Sequence, residues 1–299
     1  MEDGESSLQA VKRAAEAISL AALSNVKKGA TLPAGGLRDV RLALLALPRD
    51  PNSVPEIPQQ EMSRTVETLR AQSEGPDMML TGLVLMRYLA QRPGNQISMA
   101  QCSCVSLVLR SLHLHDSNPT LQGVACDTLG NLLQEKTNTQ QFLKLGGVEA
   151  VMQVINTNMA HTRVMEAACF LLGNVASSEE GLKHIADYGG GAVALKVIKS
   201  HEQDSELLRE ILFLISNMAQ SNTLQAELVS KGAVKAVISV MDLHGSSSEI
   251  CSMGCSAIDN LLGSAERGGG DAQGSAQQRQ NATAEPLPVA GVNSALIEP

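Results

Sequence analysis

The chain has 299 residues, a mass of 31.5 kDa and a formal net charge of −8 with a pI near 5.3, which excludes the basic footprint of a nucleic-acid binder and leans toward basic partners. Six cysteines over this length, with no charged-then-apolar leader at the start, predict a reducing compartment rather than a cross-linked secreted scaffold, and no apolar run reaches the ~18 residues of a membrane span. Aromatic residues make up 2 % of the chain against 43 % hydrophobic, so the core is built of Ala, Leu, Val, Ile and Met, which suits closely packed helices better than a sheet.

Residues 1–47 read as an N-terminal helical element, since the text from Leu8 to Lys27 has helix-forming composition and apolar spacing. Pro48, Pro51, Pro55 and Pro58 make 48–60 a Pro-rich extended linker. Eight of the 11 prolines lie before residue 120 and the other three after residue 285, so the text between meets no obligatory helix breaker. Residues 264–299 read as a disordered tail, because 264–284 is rich in Gly, Ala, Gln and Ser and cannot bury enough surface to offset its ordering entropy.

Between these segments the sequence repeats every 43 residues from about 61 to 263, most strongly from 119. Asn131, Asn174, Asn217 and Asn260 fall in one column without insertion or deletion. Two residues earlier stand Leu129, Leu172, Ile215 and Ile258; ten residues earlier stand Leu121, Val164, Leu207 and Ile250. Gly146, Gly189 and Gly232 form a glycine column, followed by the apolar columns Val151, Ala194, Val237 and Met152, Leu195, Ile238. His115, Asn158, His201 and His244 close that segment, and Tyr88 takes the Asn column one period earlier. A period of 40 to 47 residues marks two- or three-helix units that stack because none can bury its apolar face alone. Within one unit, apolar spacing predicts a long helix over 163–177, a short one over 179–188 and a middle one over 191–200.

"ACFLLGNVA" from Ala168, its copies "ACDTLGNLL" from Ala125, "ILFLISNMA" from Ile211 and "CSAIDNLL" from Cys255, and the "GGAVALKVI" that begins at Gly190 resemble the armadillo repeat, with HEAT repeats the nearest alternative. The resemblance implies an all-α fold, a right-handed superhelical solenoid of armadillo-like three-helix repeats over 61–263. It also implies a protein–protein interaction adaptor or scaffold that binds a protein segment in a concave groove lined by the long helices. In peptide-binding members the long-helix Asn holds the backbone of an extended peptide, which carries over by position to Asn131, Asn174, Asn217 and Asn260. Where some members place Trp one turn earlier, this chain has Asp127, Phe170, Phe213 and Ser256, so Phe170 with Asn174 and Phe213 with Asn217 form i, i+4 pairs at the best-formed part of the site.

The same residues have a purely structural reading, in which the amides tie neighbouring turns and the rings fill inter-repeat core. Asp127, Glu166, Glu210 and Asp259 near that face would favour a basic segment unless they are merely solvated. Cys126, Cys169 and Cys255 share a column beside small residues and read as buried packing. His201 and His244 read as caps on the ends of the middle helices. No metal spacing and no GxGxxG, HExxH or GxSxG text occurs, so no metal, no cofactor and no catalysis are expected. The expected protein is a cytoplasmic monomer, with the nucleus left open, that binds a protein or peptide segment and neither nucleic acid nor the membrane interior; the alternative is a structural component of a larger cytoskeletal or axonemal assembly.

Overall fold

A computed structural model describes residues 9, 11–13, 15, 47 and 50–263. The N-terminal helical element expected over 1–47, apart from the isolated positions among these, and the tail expected over 264–299 lie outside the described residues. The described residues between 59 and 262 form fourteen α-helices and no strand. Among the described residues no single helix is long and apolar enough to cross a membrane. In chain order the helices are α1 Gln59–Ala71, α2 Pro76–Leu89, α3 Pro93–Gln101, α4 Cys104–Leu114, α5 Pro119–Leu132, α6 Lys136–Lys144 and α7 Gly147–Thr157, then α8 Thr162–Val175, α9 Glu179–Asp187, α10 Gly190–Ser200, α11 Ser205–Met218, α12 Asn222–Ser230, α13 Ala233–Leu243 and α14 Ser248–Leu262.

The 43-residue frame is kept to the residue. The short helices α3, α6, α9 and α12 each have 9 residues, the middle helices α4, α7, α10 and α13 each 11, and the long helices α2, α5, α8 and α11 each 14. This is the all-α, three-helix repeat architecture of the armadillo type. The chain divides into two compact units, one running to Val154 and the other beginning at Ile155. In unit 1, α2 packs on α5, α3 on α6 and α4 on α5; in unit 2, α8 packs on α11, α11 on α14 and α13 on α14.

Caps recur in the same frame. At the start of three long helices, the side chains of Asn118, Asp204 and Ser247 accept from the backbone N–H three residues on, whereas His161 at the start of α8 makes no such bond. Between short and middle helix the chain passes through a left-handed residue: Gly146, Gly189 and Gly232 have φ of 73°, 72° and 85°. Glycine adopts this at no steric cost, and at Gly189 and Gly232 an added Cβ would meet nothing within 4 Å, so backbone conformation alone holds the column.

The first repeat departs from the pattern. Its short helix would fall on 50–58, where Pro51, Pro55 and Pro58 forbid it, and apart from a 3-10 turn at Pro51–Ser53 the segment has no regular structure. It is nonetheless packed into unit 1. The backbone N–H of Ile57 donates to Asn95 Oδ1 at 2.9 Å, and Asn95 Nδ2 donates to the Pro55 carbonyl at 2.9 Å. Arg92 Nη1 reaches the Val54 carbonyl at 2.9 Å, and Val54 and Ile57 are buried. An irregular segment thus closes the first repeat by offering its backbone to polar side chains of the next.

One position in the left-handed column is not glycine: Ser103 has φ of 56°. A left-handed L-residue costs ~1–2 kcal/mol, against the ~0.5–1 kcal/mol by which glycine loosens the unfolded chain. Ser103→Gly is therefore expected to raise stability by about 0.5 kcal/mol and Tm by about 1–2 °C in a thermal melt, whereas Ser103→Val should lower both.

Candidate functional site

The long helices carry the predicted site residues, and the repeat frame sets what each one touches. In unit 1, Asn131 is buried and its Nδ2 donates to the Arg87 carbonyl at 3.2 Å. In unit 2, Asn217 Nδ2 donates to the Gly173 carbonyl at 3.0 Å, and Asn260 Nδ2 to the Ser216 carbonyl at 3.0 Å and to Ser216 Oγ at 2.9 Å. Each bond runs 44 residues back, from one long helix to the previous one. The column therefore ties repeats together. On Asn217, which is half-buried, the tie commits one N–H, and among the described residues Oδ1 meets only Gln220 Nε2 at 3.5 Å.

The aromatic positions are built on the same contact. At Gly173 an added Cβ would lie 2.5 Å from the Phe213 ring, so the ring of α11 rests on the bare backbone of α8 beside the Asn217 bond. Phe213 keeps part of its surface open, whereas Phe170 is buried at 6 % exposure. Unit 2 brings Phe170, Asn174, Phe213, Asn217 and Asn260 onto three successively packed long helices. Asn131 belongs to unit 1. Asn174 is half-buried like Asn217.

Three of the four acids expected on this face are engaged by arginines of the chain. Asp127 Oδ2 accepts from Arg87 Nη1 at 2.9 Å with both side chains buried, Glu166 accepts from Arg163 at 3.0 Å, and Glu210 meets Arg209 Nη2 at 2.8 Å. Asp259 is exposed. Arg209 also bridges to Glu249 of α14 at 3.4 Å, so its charge spans two repeats. Among the described residues no group of three or more His, Cys, Asp or Glu is placed to hold a metal ion.

Two sequence readings are corrected. His201 and His244 stand at the C-caps of their own helices through their backbone N–H groups, but their rings do not cap them: the Nε2 atoms lie 2.7 and 2.8 Å from the Met159 and Glu202 carbonyls, 42 residues earlier, and His115 makes the same contact to Ser73 at 2.8 Å. Each ring reaches the previous repeat instead. Cys255 is not buried like Cys126 and Cys169, because no described repeat follows the one that carries it. None of the six cysteines is in a disulfide.

Tyr88, which takes the Asn column in unit 1, is buried, and its hydroxyl has no hydrogen-bond partner among the described residues. Burial first, and then the Asp50 carboxylate, push its phenol from 10.0 up to about 12. The folded chain thus holds this proton more tightly than the unfolded chain, so the contribution is intact below pH 10 and lost as pH rises through about 12. Tyr88→Phe is expected to keep or raise stability at pH 8 and to flatten the fall in urea midpoint between pH 10 and pH 12; an unchanged fall would place the alkaline loss elsewhere.

The buried pair between Arg87 and Asp127 gives a second check. Asp127→Asn leaves a buried guanidinium without its counter-charge and is expected to cost ~3–5 kcal/mol, while the double replacement Arg87→Met, Asp127→Leu should recover most of it in urea unfolding.

The profile of the family described as Protein zer-1 homolog-like, C-terminal domain, matches residues 65–281. No curated protein matches the chain. Among solved structures, a chain from work on the phosphorylation switch that controls the interaction between cadherin and beta-catenin aligns with a TM-score of 0.46 at 14 % identity, covering 85 % of this chain and 60 % of that one.

Proposed function

The chain belongs to the family of zer-1 homolog-like C-terminal domains, and from that premise we propose that it is a non-catalytic adaptor that holds an extended protein segment along the long-helix face of unit 2. Its centre is Asn174, Phe213 and Asn217, with Phe170 and Asn260 at the margins; Asn131 is the corresponding position of unit 1. The observation that carries this reading is the half-exposed Asn217 amide, oriented by its bond to Gly173 and seated beside a half-exposed ring. A pre-oriented amide offers a donor and an acceptor to a peptide group with little further ordering to be done on binding. The chain uses the same chemistry internally, where Asn95 grips Pro55 and Ile57 of an irregular segment at two points. Because Glu166 and Glu210 on this face already have arginine partners, backbone recognition and apolar contact with Phe213 dominate, and a basic segment is favoured only by Asp259 and by the overall charge of −8. The adaptor is a cytoplasmic monomer in this reading, with the nucleus left open.

The test is selection of peptides from a random displayed library with the whole chain, followed by titration of a selected peptide against wild type and against the double variant Asn174→Ala, Asn217→Ala. Loss of about 1–3 kcal/mol in affinity with the fold retained is expected, at ~1 kcal/mol per lost hydrogen bond. Lowered Tm with unchanged affinity would assign these amides to the repeat tie alone and refute the site.

A further inference from the structure

Within unit 2 the last repeat is more open than every earlier copy at four columns. Leu262 is 57 % exposed, whereas Ala219, Ala176, Leu133 and Ala90 in its column are at most 5 % exposed. Ile238 is 44 % exposed against 5 % for Met152 and Leu109, with Leu195 half-buried. Cys255 is exposed where Leu212, Cys169, Cys126 and Leu83 are fully buried, and Val229 is exposed where Leu143 and Ala100 are buried and Ala186 is half-buried. The three helices concerned, α12, α13 and α14, pack on one another, so these residues mark one end of the stack, the end on which a further repeat would sit. Repeat ends left in this state need a cover.

The sequence that follows does not write another repeat. The core columns of the middle helix would fall on Gln277, Gln280 and Asn281, none of which can fill an apolar seat. Beyond them come the first large apolar residues after Gly263: Leu287, Val289, Val292, Leu296 and Ile297. Residues 285–289 read Glu-Pro-Leu-Pro-Val, and residues 54–58, which close the first repeat, read Val-Pro-Glu-Ile-Pro. Both carry apolar residues among prolines, a text that stays extended and presents carbonyls rather than helix. The roughly two dozen residues between Gly263 and Leu287 span about 25–30 Å as a flexible chain, enough to run the ~22 Å length of a 15-residue helix such as α14.

We propose that residues 285–299 dock on the open end of the last repeat and cover Ile238, Cys255 and Leu262. The expectation of disorder over 264–299 rests on the Gly-, Ser- and Gln-rich part, which serves here as the tether. This docking does not depend on the long-helix site of the previous subsection, and Ile238, Cys255 and Leu262 are not among the residues of that site.

Cys255 is a reporter already in place. In the full chain, its alkylation by iodoacetamide, followed by mass spectrometry, is expected to be slowed by about fivefold or more relative to a full-length variant carrying Leu287→Ser, Val289→Ser, Leu296→Ser and Ile297→Ser. A synthetic peptide of residues 285–299 added to that variant should slow the reaction again in a saturable way, which separates docking from loosening of the last repeat. Equal rates in both chains, or no effect of the peptide, overturn the proposal. Slowing that grows with protein concentration and is the same in both chains would assign the cover to a second copy and overturn it as well.

Discussion

The structure depends on a hydrogen bond thrown from one repeat to the backbone of the repeat before it. Three helices of 9, 11 and 14 residues cannot enclose a core, so each repeat must be held in register with its neighbour as well as stacked on it. Hydrophobic contact is non-directional and would tolerate sliding by a turn. A side-chain donor aimed at one carbonyl does not. In unit 1 the bonds from His115 to Ser73 and from Asn131 to Arg87 fix both ends of the interface; in unit 2 the bonds from His201, His244, Asn217 and Asn260 do the same. At ~1 kcal/mol net each they are weak singly, but those to Ser73 and Arg87 also satisfy carbonyls that stacking buries.

Much of this was legible as periodicity. Asn131, Asn217 and Asn260 stand out because an amide recurs with no insertion between copies, and the glycine column follows from a left-handed turn that other residues enter at a cost. What the columns could not show is direction. A conserved spacing of amides fits a donor aimed at a ligand and a donor aimed at a carbonyl 44 residues back equally well, and only the placement of α8 against α11 shows that the first N–H goes to Gly173. The histidines were misread for the same reason: a helix end and a neighbouring repeat both offer carbonyls, and sequence distance favours the wrong one. The pair between Arg87 and Asp127 was invisible because neither residue repeats. Asp127 replaces an aromatic seat, and Arg87 replaces the small residue found at Gly130 and Gly173, so the exchange is matched on both sides at once.

The two ends of the repeat array show how the frame handles its boundaries. At the first repeat, prolines remove the short helix, yet the seat remains occupied: Asn138 donates to the carbonyl of Gln96 in the regular stack, and Asn95, its counterpart one period earlier, donates to Pro55 instead. The backbone acceptor is what the interface requires; a helix is only the usual way of supplying it. Cys255 carries the complementary lesson. Its column predicts burial, but burial of a repeat position is conferred by the next repeat, so the last copy inherits the residue type without the environment.

The long helices also differ between units in what they leave accessible. In unit 1, α2 from Met78 and α5 from Leu121 are buried along their whole length, including Tyr88 and Asn131 in the amide column. In unit 2, α11 keeps Arg209, Phe213, Ser216 and Asn217 half-buried, and α8 keeps Glu166 and Asn174 so. An amide must be tied to be oriented and open to be used. Asn131 meets the first condition only, because a residue at 6 % exposure has no edge left for a peptide group, whereas Asn217 meets both. At residue 88 the sealed column holds Tyr instead of Asn: its ring fills volume, and its hydroxyl is left without a hydrogen-bond partner among the described residues.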